Sequence, residues 1–171
     1  MSFTTFRKDC YRYGSVRLFT LMLKDHSVRY LLTLRCPLLK LYRHILCVRY
    51  GLDLGNGSNI GAGLYLGHAY GINVNPQAII GNNCSLHKGC TIGQENRGAR
   101  KGAPTLGNKV WVGINATVVG NITIGDDVLI APNAYVNRDV PSHSIVIGNP
   151  ARIIPCATAT ESYITNVVKD I

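Results

Sequence analysis

The sequence predicts an all-β fold, a left-handed parallel β-helix of six-residue repeats, preceded by a short α-helical segment. An apolar side chain recurs every six residues, with two interruptions, between Leu54 and Val136, and a glycine directly follows many of these residues. A period of six fits neither an α-helix nor a regular strand, and with glycine corners it is typical of a β-helix. The apolar positions are Leu54, Ile60, Leu66, Ile72, Val74, Ile80, Leu86, Ile92, Leu106, Val112, Val118, Ile124, Ile130 and Val136.

Each repeat is expected to supply one short strand and one corner, so that three repeats close a coil of about eighteen residues. The apolar positions then correspond to between four and five coils. The phase shifts by two residues between Ile72 and Val74, and an insertion separates Ile92 from Leu106. The insertion predicts a loop, residues 94–105, that leaves the coil. Cys84 and Cys90 fall at small inward positions and are predicted to be core residues.

Charge and pattern divide the chain into three parts. Of the net charge of +9, residues 1–50 carry +8, with ten Lys/Arg against two Asp. Leucine-rich runs in this part predict helices, two of them separated by Pro37. We therefore expect a basic helical segment over 1–50, the β-helix over 51–154 and a C-terminal extension over 155–171.

The basic segment over 1–50 has two interpretations. It is a cap on the first coil that packs between subunits, or a basic amphipathic surface that also contacts an anionic membrane peripherally. No run approaches the ~20 apolar residues of a membrane span, no signal peptide is evident, and no nucleic-acid-binding motif appears. The six cysteines contain no C-x-x-C pair, so we expect a reduced, cytoplasmic location, at the inner membrane face if the segment binds there.

Histidine is the side chain most suited to act as a base near neutral pH. His68 lies at the first interruption of the repeat, where a disturbed stack can create a pocket. His87 follows Leu86 directly, at a corner, and faces a ligand or solvent. His143 is interpreted as a surface turn residue.

Five segments carry a family resemblance: G-L-D-L at 51–54, L-G-H-A-Y-G-I at 66–72, C-T-I-G at 90–93, G-N-I-T-I-G at 120–125 and I-G-N-P-A-R-I at 147–153. With them the chain resembles the catalytic domain of bacterial serine acetyltransferases. It looks closest to short O-acetyltransferases of capsule and exopolysaccharide clusters, of the colanic acid type. The resemblance covers about 100 residues.

The resemblance implies a catalytic pair. His68 would be the general base on the acceptor hydroxyl, and Asp53, fifteen residues earlier, would orient it. A neutral imidazole takes the hydroxyl proton as the oxygen attacks the acetyl thioester, and a carboxylate holds the required tautomer.

The resemblance also implies acetyl-CoA as co-substrate, and no metal is expected. Gly93, Ile114 and Pro132 would present backbone groups to the pantetheine arm, and Arg152 is a candidate for a CoA phosphate. A homotrimer with sites at the subunit seams is implied, or a dimer of such trimers.

The predicted loop is rich in Arg, Lys and Gly, and the resemblance implies that it reaches the neighbouring subunit's site. Arg97, Arg100 and Lys101 are candidates to bind CoA phosphates or an acidic substrate. A solvated surface loop is the alternative interpretation.

The predicted acceptor depends on positions at which this chain differs from serine acetyltransferases. Serine acetyltransferases carry an aspartate directly before the catalytic histidine and an Arg-His pair before the loop proline, residues that help to hold the amino acid. This chain has Gly67 and Gly102-Ala103 in their places. A zwitterion needs charged partners. The sequence therefore predicts transfer to a hydroxyl of a saccharide or polysaccharide precursor, with serine O-acetylation in cysteine biosynthesis as the alternative.

Two further classes are disfavoured. A γ-type carbonic anhydrase needs three histidines around zinc, whereas the coils offer His68 and His87. A non-catalytic scaffold would not need both Asp53 and His68.

Overall fold

The computed structural model describes residues 37–55 and 58–168, beginning with helix α1, Pro37–Tyr50. Proline fits the first position of a helix because its missing N–H would have no partner there. Gly51, at a φ of 60°, ends the helix, and its N–H donates to the Cys47 carbonyl oxygen at 2.9 Å. The helix predicted after residue 37 is confirmed, and the other leucine-rich runs lie outside the described residues. No described helix has the length and apolar character needed to cross a bilayer.

Short strands occupy most of the remaining chain. They are β1 Asp53–Leu54, β2 Asn59–Ile60, β3 Tyr65–Gly67, β4 Asn73–Val74, β5 Ile79–Ile80, β6 Ser85–His87, β7 Thr91–Gly93, β8 Thr105–Leu106, β9 Val110–Val112, β10 Thr117–Val119, β11 Thr123–Ile124, β12 Val128–Ile130, β13 Tyr135–Val136, β14 Ser144–Ile147 and β15 Arg152–Pro155.

The strands form three sheets that are the faces of a triangular prism. The first face has the order β1-β4-β7-β10-β13, the second β2-β5-β8-β11, and the third β3-β6-β9-β12-β14-β15. From β1 to β13, every third strand along the chain therefore lies in the same face, and β14 and β15 both join the third face. All neighbours pair in parallel except β14 and β15, which form an antiparallel hairpin that ends the stack. The predicted left-handed parallel β-helix, with little helix, is confirmed.

The three prism edges are named here by what they carry. The His68 edge joins the third face to the first and contains residues 68–72, 88–90, 113–116 and 131–134. The loop edge joins the first face to the second and contains residues 94–104. The tail edge joins the second face to the third and contains residues 61–64, 81–84, 107–109, 125–127 and 141–143.

The strand register gives the number of residues in each coil, and so the size of the two interruptions of the repeat. Leu106 lies beside Ile124, a step of eighteen residues, as predicted for a regular coil. Leu66 lies beside Leu86, a step of twenty, so the first coil has two extra residues. Ile80 lies beside Leu106, a step of twenty-six, so the loop adds eight.

The interior of the prism is one continuous apolar cluster. The repeat residues point inward, and those from Leu66 to Val136 are all buried, as are small residues between them. Cys84 and Cys90 are fully buried, which confirms their predicted place in the core. Burying each Leu or Ile contributes about 1.5–3 kcal/mol, so the stacked interior supplies the main stabilisation.

The described C-terminal residues run back along the tail edge. Asp127 accepts hydrogen bonds from the backbone N–H groups of Ala159 and Thr160, at 3.3 and 3.1 Å, and from the Thr160 hydroxyl. Asn83 donates to the Val168 carbonyl oxygen at 3.1 Å and accepts from its N–H at 2.9 Å. Ile164, between these anchors, is buried. This segment, residues 156–168, is called the tail below.

Candidate active site

His68 lies in a corner that is wider than its neighbours. The regular corners above it place one left-handed residue each, Gly89, Asn115 and Asn133, with φ of 73°, 57° and 61°. The wide corner contains two, because Gly71 stacks on Gly89 and His68 has a φ of 50°. A left-handed non-glycine residue costs about 1–3 kcal/mol, a strain that is common at functional sites. The two extra residues thus present an exposed imidazole on a strained backbone.

Asp53 lies on the coil next to this corner. Its strand β1 pairs with β4, with Asp53 beside Asn73, and the Gly71 N–H donates to the Tyr50 carbonyl oxygen at 2.7 Å. Across the described residues, neither ring nitrogen of His68 has a hydrogen-bond partner. The pairing of Asp53 with the His68 imidazole therefore stays a prediction.

The His87 imidazole covers Gly67. The two residues are register partners on β6 and β3. A Cβ atom at position 67 would lie 2.3 Å from His87 Nδ1 and 2.5 Å from Cε1, well inside van der Waals contact. The imidazole also packs against Trp111, with ring centres 4.6 Å apart, and lies 6.0 Å from the Tyr65 ring. Glycine at position 67 is therefore what allows this imidazole to lie beside His68.

Burial and the neighbouring His68 both affect the protonation of His87. Burial, and then the positive charge of protonated His68, lower the pKa of His87 below 6.5. His87 is consequently neutral near pH 7 and adds no positive charge beside the candidate base. Burial raises the pKa of the Cys90 thiol to about 12, so this cysteine is not a nucleophile.

The predicted loop leaves the prism after Gly93, on the loop edge. Glu95 and Gly102 exchange two backbone hydrogen bonds of 2.9 Å that close its base. An open cleft of about 300 Å³ lies in the loop, with Arg97 and Arg100 in its lining. Both arginines are exposed, as is Lys101. One face of the prism, ~20 Å of extended chain, separates this edge from His68.

The candidate CoA contacts are divided between the same two edges. Ile114 and Pro132 are exposed on the His68 edge, in successive coils, and the Asn133 N–H donates to the Ile114 carbonyl oxygen at 2.9 Å. Gly93 lies on the loop edge, and Arg152 is exposed at the start of β15. Within one chain, the structure therefore does not bring the loop cations to His68.

Sequence reasoning missed the packing around His87. Trp111 lies in strand β9, between His87 and Tyr163 of the tail, whose ring centre is 5.0 Å from that of Trp111. The twenty-residue step between Gly67 and His87 was the available signal, because it follows from the two-residue phase shift. Among the described residues, no group of three His, Cys, Asp or Glu side chains could hold a metal ion.

Known proteins with similar sequences and structures share this repeat and this fold. The family of bacterial transferase hexapeptide proteins (six repeats) matches residues 103–138. The soybean serine acetyltransferase apoenzyme superposes with a TM-score of 0.72 at 30% identity, over 88% of this chain and 68% of that one. The chain belongs to the hexapeptide-repeat acyltransferase family.

The relatives most similar in sequence include several named serine acetyltransferase. The chain is 37% identical over 121 residues to the serine acetyltransferase of Synechococcus elongatus, covering 70% of this chain and 50% of that protein. It is 38% identical over 104 residues to that of Helicobacter pylori strain 26695, covering 61% of each. The chain thus spans about half to three fifths of the length of these relatives.

These relatives overturn the predicted saccharide acceptor. They are serine acetyltransferases, as are the similar solved structures, and nothing among them supports the closer likeness to colanic acid enzymes. The prediction was wrong because it took Gly67 and Gly102-Ala103 to mean lost polar groups, without knowing what lies beside them. The place beside Gly67 is filled by the His87 imidazole, so the site keeps a polar side chain there.

Proposed function

We propose that this chain is an acetyl-CoA-dependent serine O-acetyltransferase. The observation that supports it is the exposed His68 in the wide corner of a coil similar to serine acetyltransferases in both sequence and fold.

In the proposed mechanism, the neutral His68 imidazole accepts the proton of the serine hydroxyl while the oxygen attacks the thioester carbonyl carbon. The tetrahedral intermediate collapses, the carbon–sulfur bond breaks, and the CoA sulfur receives the proton. The products are O-acetylserine and CoA. Asp53 is assigned the orienting role, in which its carboxylate fixes the imidazole tautomer and stabilises the imidazolium.

Acetyl-CoA is assigned to a groove that two subunits share. Ile114 and Pro132 would contact the pantetheine arm from the His68 edge, and Gly93 would do so from the loop edge of the neighbour. A serine acetyltransferase structure described as a complex with CoA is 28% identical, with a TM-score of 0.67, and supports acetyl-CoA as the co-substrate.

The cations complete the proposed co-substrate site. The CoA phosphates would be bound by four cations, Arg97, Arg100 and Lys101 of the loop and Arg152 of the terminal hairpin. Phosphates are anionic, and arginine binds them well through paired hydrogen bonds. We propose a homotrimer in which the loop edge of one copy meets the His68 edge of its neighbour, because within one chain these two edges are separated by a face of the prism. A dimer of trimers would keep the same site. We assign the protein to the cytoplasm, where acetyl-CoA is available.

The proposal is tested by following CoA thiol release from acetyl-CoA as L-serine is varied, with O-acetylserine identified by mass. We expect saturable, serine-dependent release by the wild-type protein. Neutralising Arg97, Arg100 and Lys101 together should raise the KM for acetyl-CoA with little effect on the KM for serine. Release that is independent of serine would contradict the proposed function.

The shared site has a separate test in mixed trimers. A His68→Ala chain and a chain with the three loop cations neutralised should each have reduced activity alone. Co-expressed with different affinity tags and purified as mixed assemblies, they should regain activity, because some seams then combine an intact His68 with an intact loop. No recovery, or a monomer in light scattering, would contradict the shared site.

A further inference from the structure

The ring of His87 has unused hydrogen-bonding capacity beside the candidate base. In the part of the chain that the structure describes, neither of its ring nitrogens has a hydrogen-bond partner. Its ring is half-buried against Trp111 and lies over the glycine that precedes His68. A half-exposed imidazole with no partner in the protein keeps both ring nitrogens open to solvent or to a ligand.

The surroundings fix the orientation of this imidazole. Trp111 on β9 and Tyr65 on β3 flank it, with ring centres 4.6 and 6.0 Å away, and Tyr163 of the tail supports Trp111 from the far side at 5.0 Å. The backbone carbonyl of His87 accepts a hydrogen bond from the Cys90 N–H at 3.1 Å, which fixes the corner. A side chain held in this way offers a ligand a preorganised group at low entropic cost.

The position of the ring suggests what it recognises. A neutral imidazole carries one N–H donor and one lone-pair acceptor. The acceptor nitrogen suits a cationic group, which the neighbouring aromatic faces also attract. The ring fills the volume that a side chain at position 67 would otherwise enter, directly before His68.

We propose that His87 is a specificity-determining residue of the acceptor site, whose imidazole takes the place of a carboxylate at position 67 and accepts a hydrogen bond from the acceptor's ammonium group. The inference rests on the proposed function, because it concerns how serine is held while His68 removes the hydroxyl proton. It also explains why glycine occupies position 67, since any Cβ there would displace the imidazole.

The first test separates recognition from catalysis. His87→Ala should lower kcat/KM for L-serine about 10- to 100-fold, the range of a lost charge-assisted hydrogen bond, and leave the KM for acetyl-CoA unchanged. The acceptor 3-hydroxypropanoate lacks the ammonium group, and its kcat/KM should change less than about two-fold. Ethanolamine, which keeps the ammonium, should lose as much as serine does.

The second test exchanges the two side chains. Gly67→Asp alone should lose activity, because its Cβ meets the imidazole at 2.3 Å. The double variant Gly67→Asp with His87→Ala places a carboxylate in the vacated volume and should be more active on L-serine than either single variant. His87→Gln, which keeps an acceptor oxygen, should be intermediate. His44→Ala, on the exposed surface of α1, is the control for removing a histidine.

Each outcome decides the inference. An equal loss on L-serine and 3-hydroxypropanoate, or a double variant no more active than the better of the two single variants, would mean that His87 only supports the fold, and would overturn the inference. If His87→Ala matches the wild type, the inference fails while the proposed function stands. If the wild-type protein does not acetylate L-serine at all, both fail.

Discussion

The His68 edge and the tail edge are built from the same repeat, yet they treat their polar side chains in opposite ways. On the tail edge, Asn83 and Asp127 are left-handed corner residues whose side chains are bonded to the tail. On the His68 edge the ring of His68, and on the adjoining strand β6 the ring of His87, have no hydrogen-bond partner among the described residues. Polar groups that hold the fold are satisfied within the chain, whereas these two rings remain available to a ligand.

The largest expected effect tests the His68 edge. His68→Ala should reduce turnover with L-serine at least ~100-fold, because general-base catalysis contributes 10²–10⁴-fold. The coil should remain folded, since the side chain is exposed. His143→Ala on the tail edge is the matched comparison and should retain most of the activity. Near-normal turnover by His68→Ala would remove the distinction between the two edges.

A second prediction concerns the core on which both edges depend. Ile80 is 2% exposed and Ile79, its neighbour in β5, is 45% exposed. Ile80→Ala should lower the free energy of unfolding by about 2–5 kcal/mol because it leaves a cavity, whereas Ile79→Ala should cost under ~1 kcal/mol. Chemical denaturation measures both. Equal costs would contradict the assignment of inward and outward positions.

The repeat made this core predictable. The apolar repeat side chains from Leu66 to Val136 are inward as the six-residue period requires, and the phase shifts located both the wide corner and the loop. The position of His87 over Gly67 was not predicted, because it depends on which residues of successive coils become neighbours. The acceptor was predicted wrongly because single positions were compared with the family without their spatial neighbours.

The position of the tail was not predicted from the repeat either. Its anchors are hydrogen bonds from Thr160 and Val168 to corner side chains more than thirty residues earlier in the chain. The period of six stops before these residues. The predicted membrane contact rests chiefly on residues 1–36, which lie outside the described residues, and the comparisons give it no support.

A third prediction tests the tail edge. Burial alone would raise the pKa of Asp127, but hydrogen bonds from Thr160, His143 and Ala159 outweigh it and lower the pKa below 3.8. The ionised carboxylate therefore stabilises the folded tail above pH 3.8, and this contribution is lost as the pH falls through the lowered folded-state pKa. Asp127→Asn should cost about 1–3 kcal/mol and speed proteolysis of the tail near neutral pH.

The pH dependence of the Asp127→Asn effect serves as its control. Near neutral pH, Asp127→Asn should differ clearly from the wild type, and the difference should shrink as the pH approaches the range in which the wild-type carboxyl is protonated. A difference independent of pH would mean that the ionised carboxylate does not anchor the tail.

The smallest expected effect concerns the connection between the edges. Tyr163 supports Trp111, which in turn packs on His87. Tyr163→Ala should raise the KM for L-serine about two- to five-fold through a looser imidazole, with kcat and the KM for acetyl-CoA unchanged. Tyr163→Phe keeps the ring and should match the wild type. A reduced kcat with an unchanged KM would show that the two edges are connected in another way.

The contrast between the edges is tested most directly by NMR of the histidine Cε1–H groups, assigned with single His→Gln variants, during a titration with L-serine. We expect saturable shifts at His68 and His87 with one common dissociation constant, and no shift at His143, whose ring nitrogen lies 2.9 Å from Asp127 on the tail edge. A titration that moves His143, or that leaves both His68 and His87 unchanged, would contradict it.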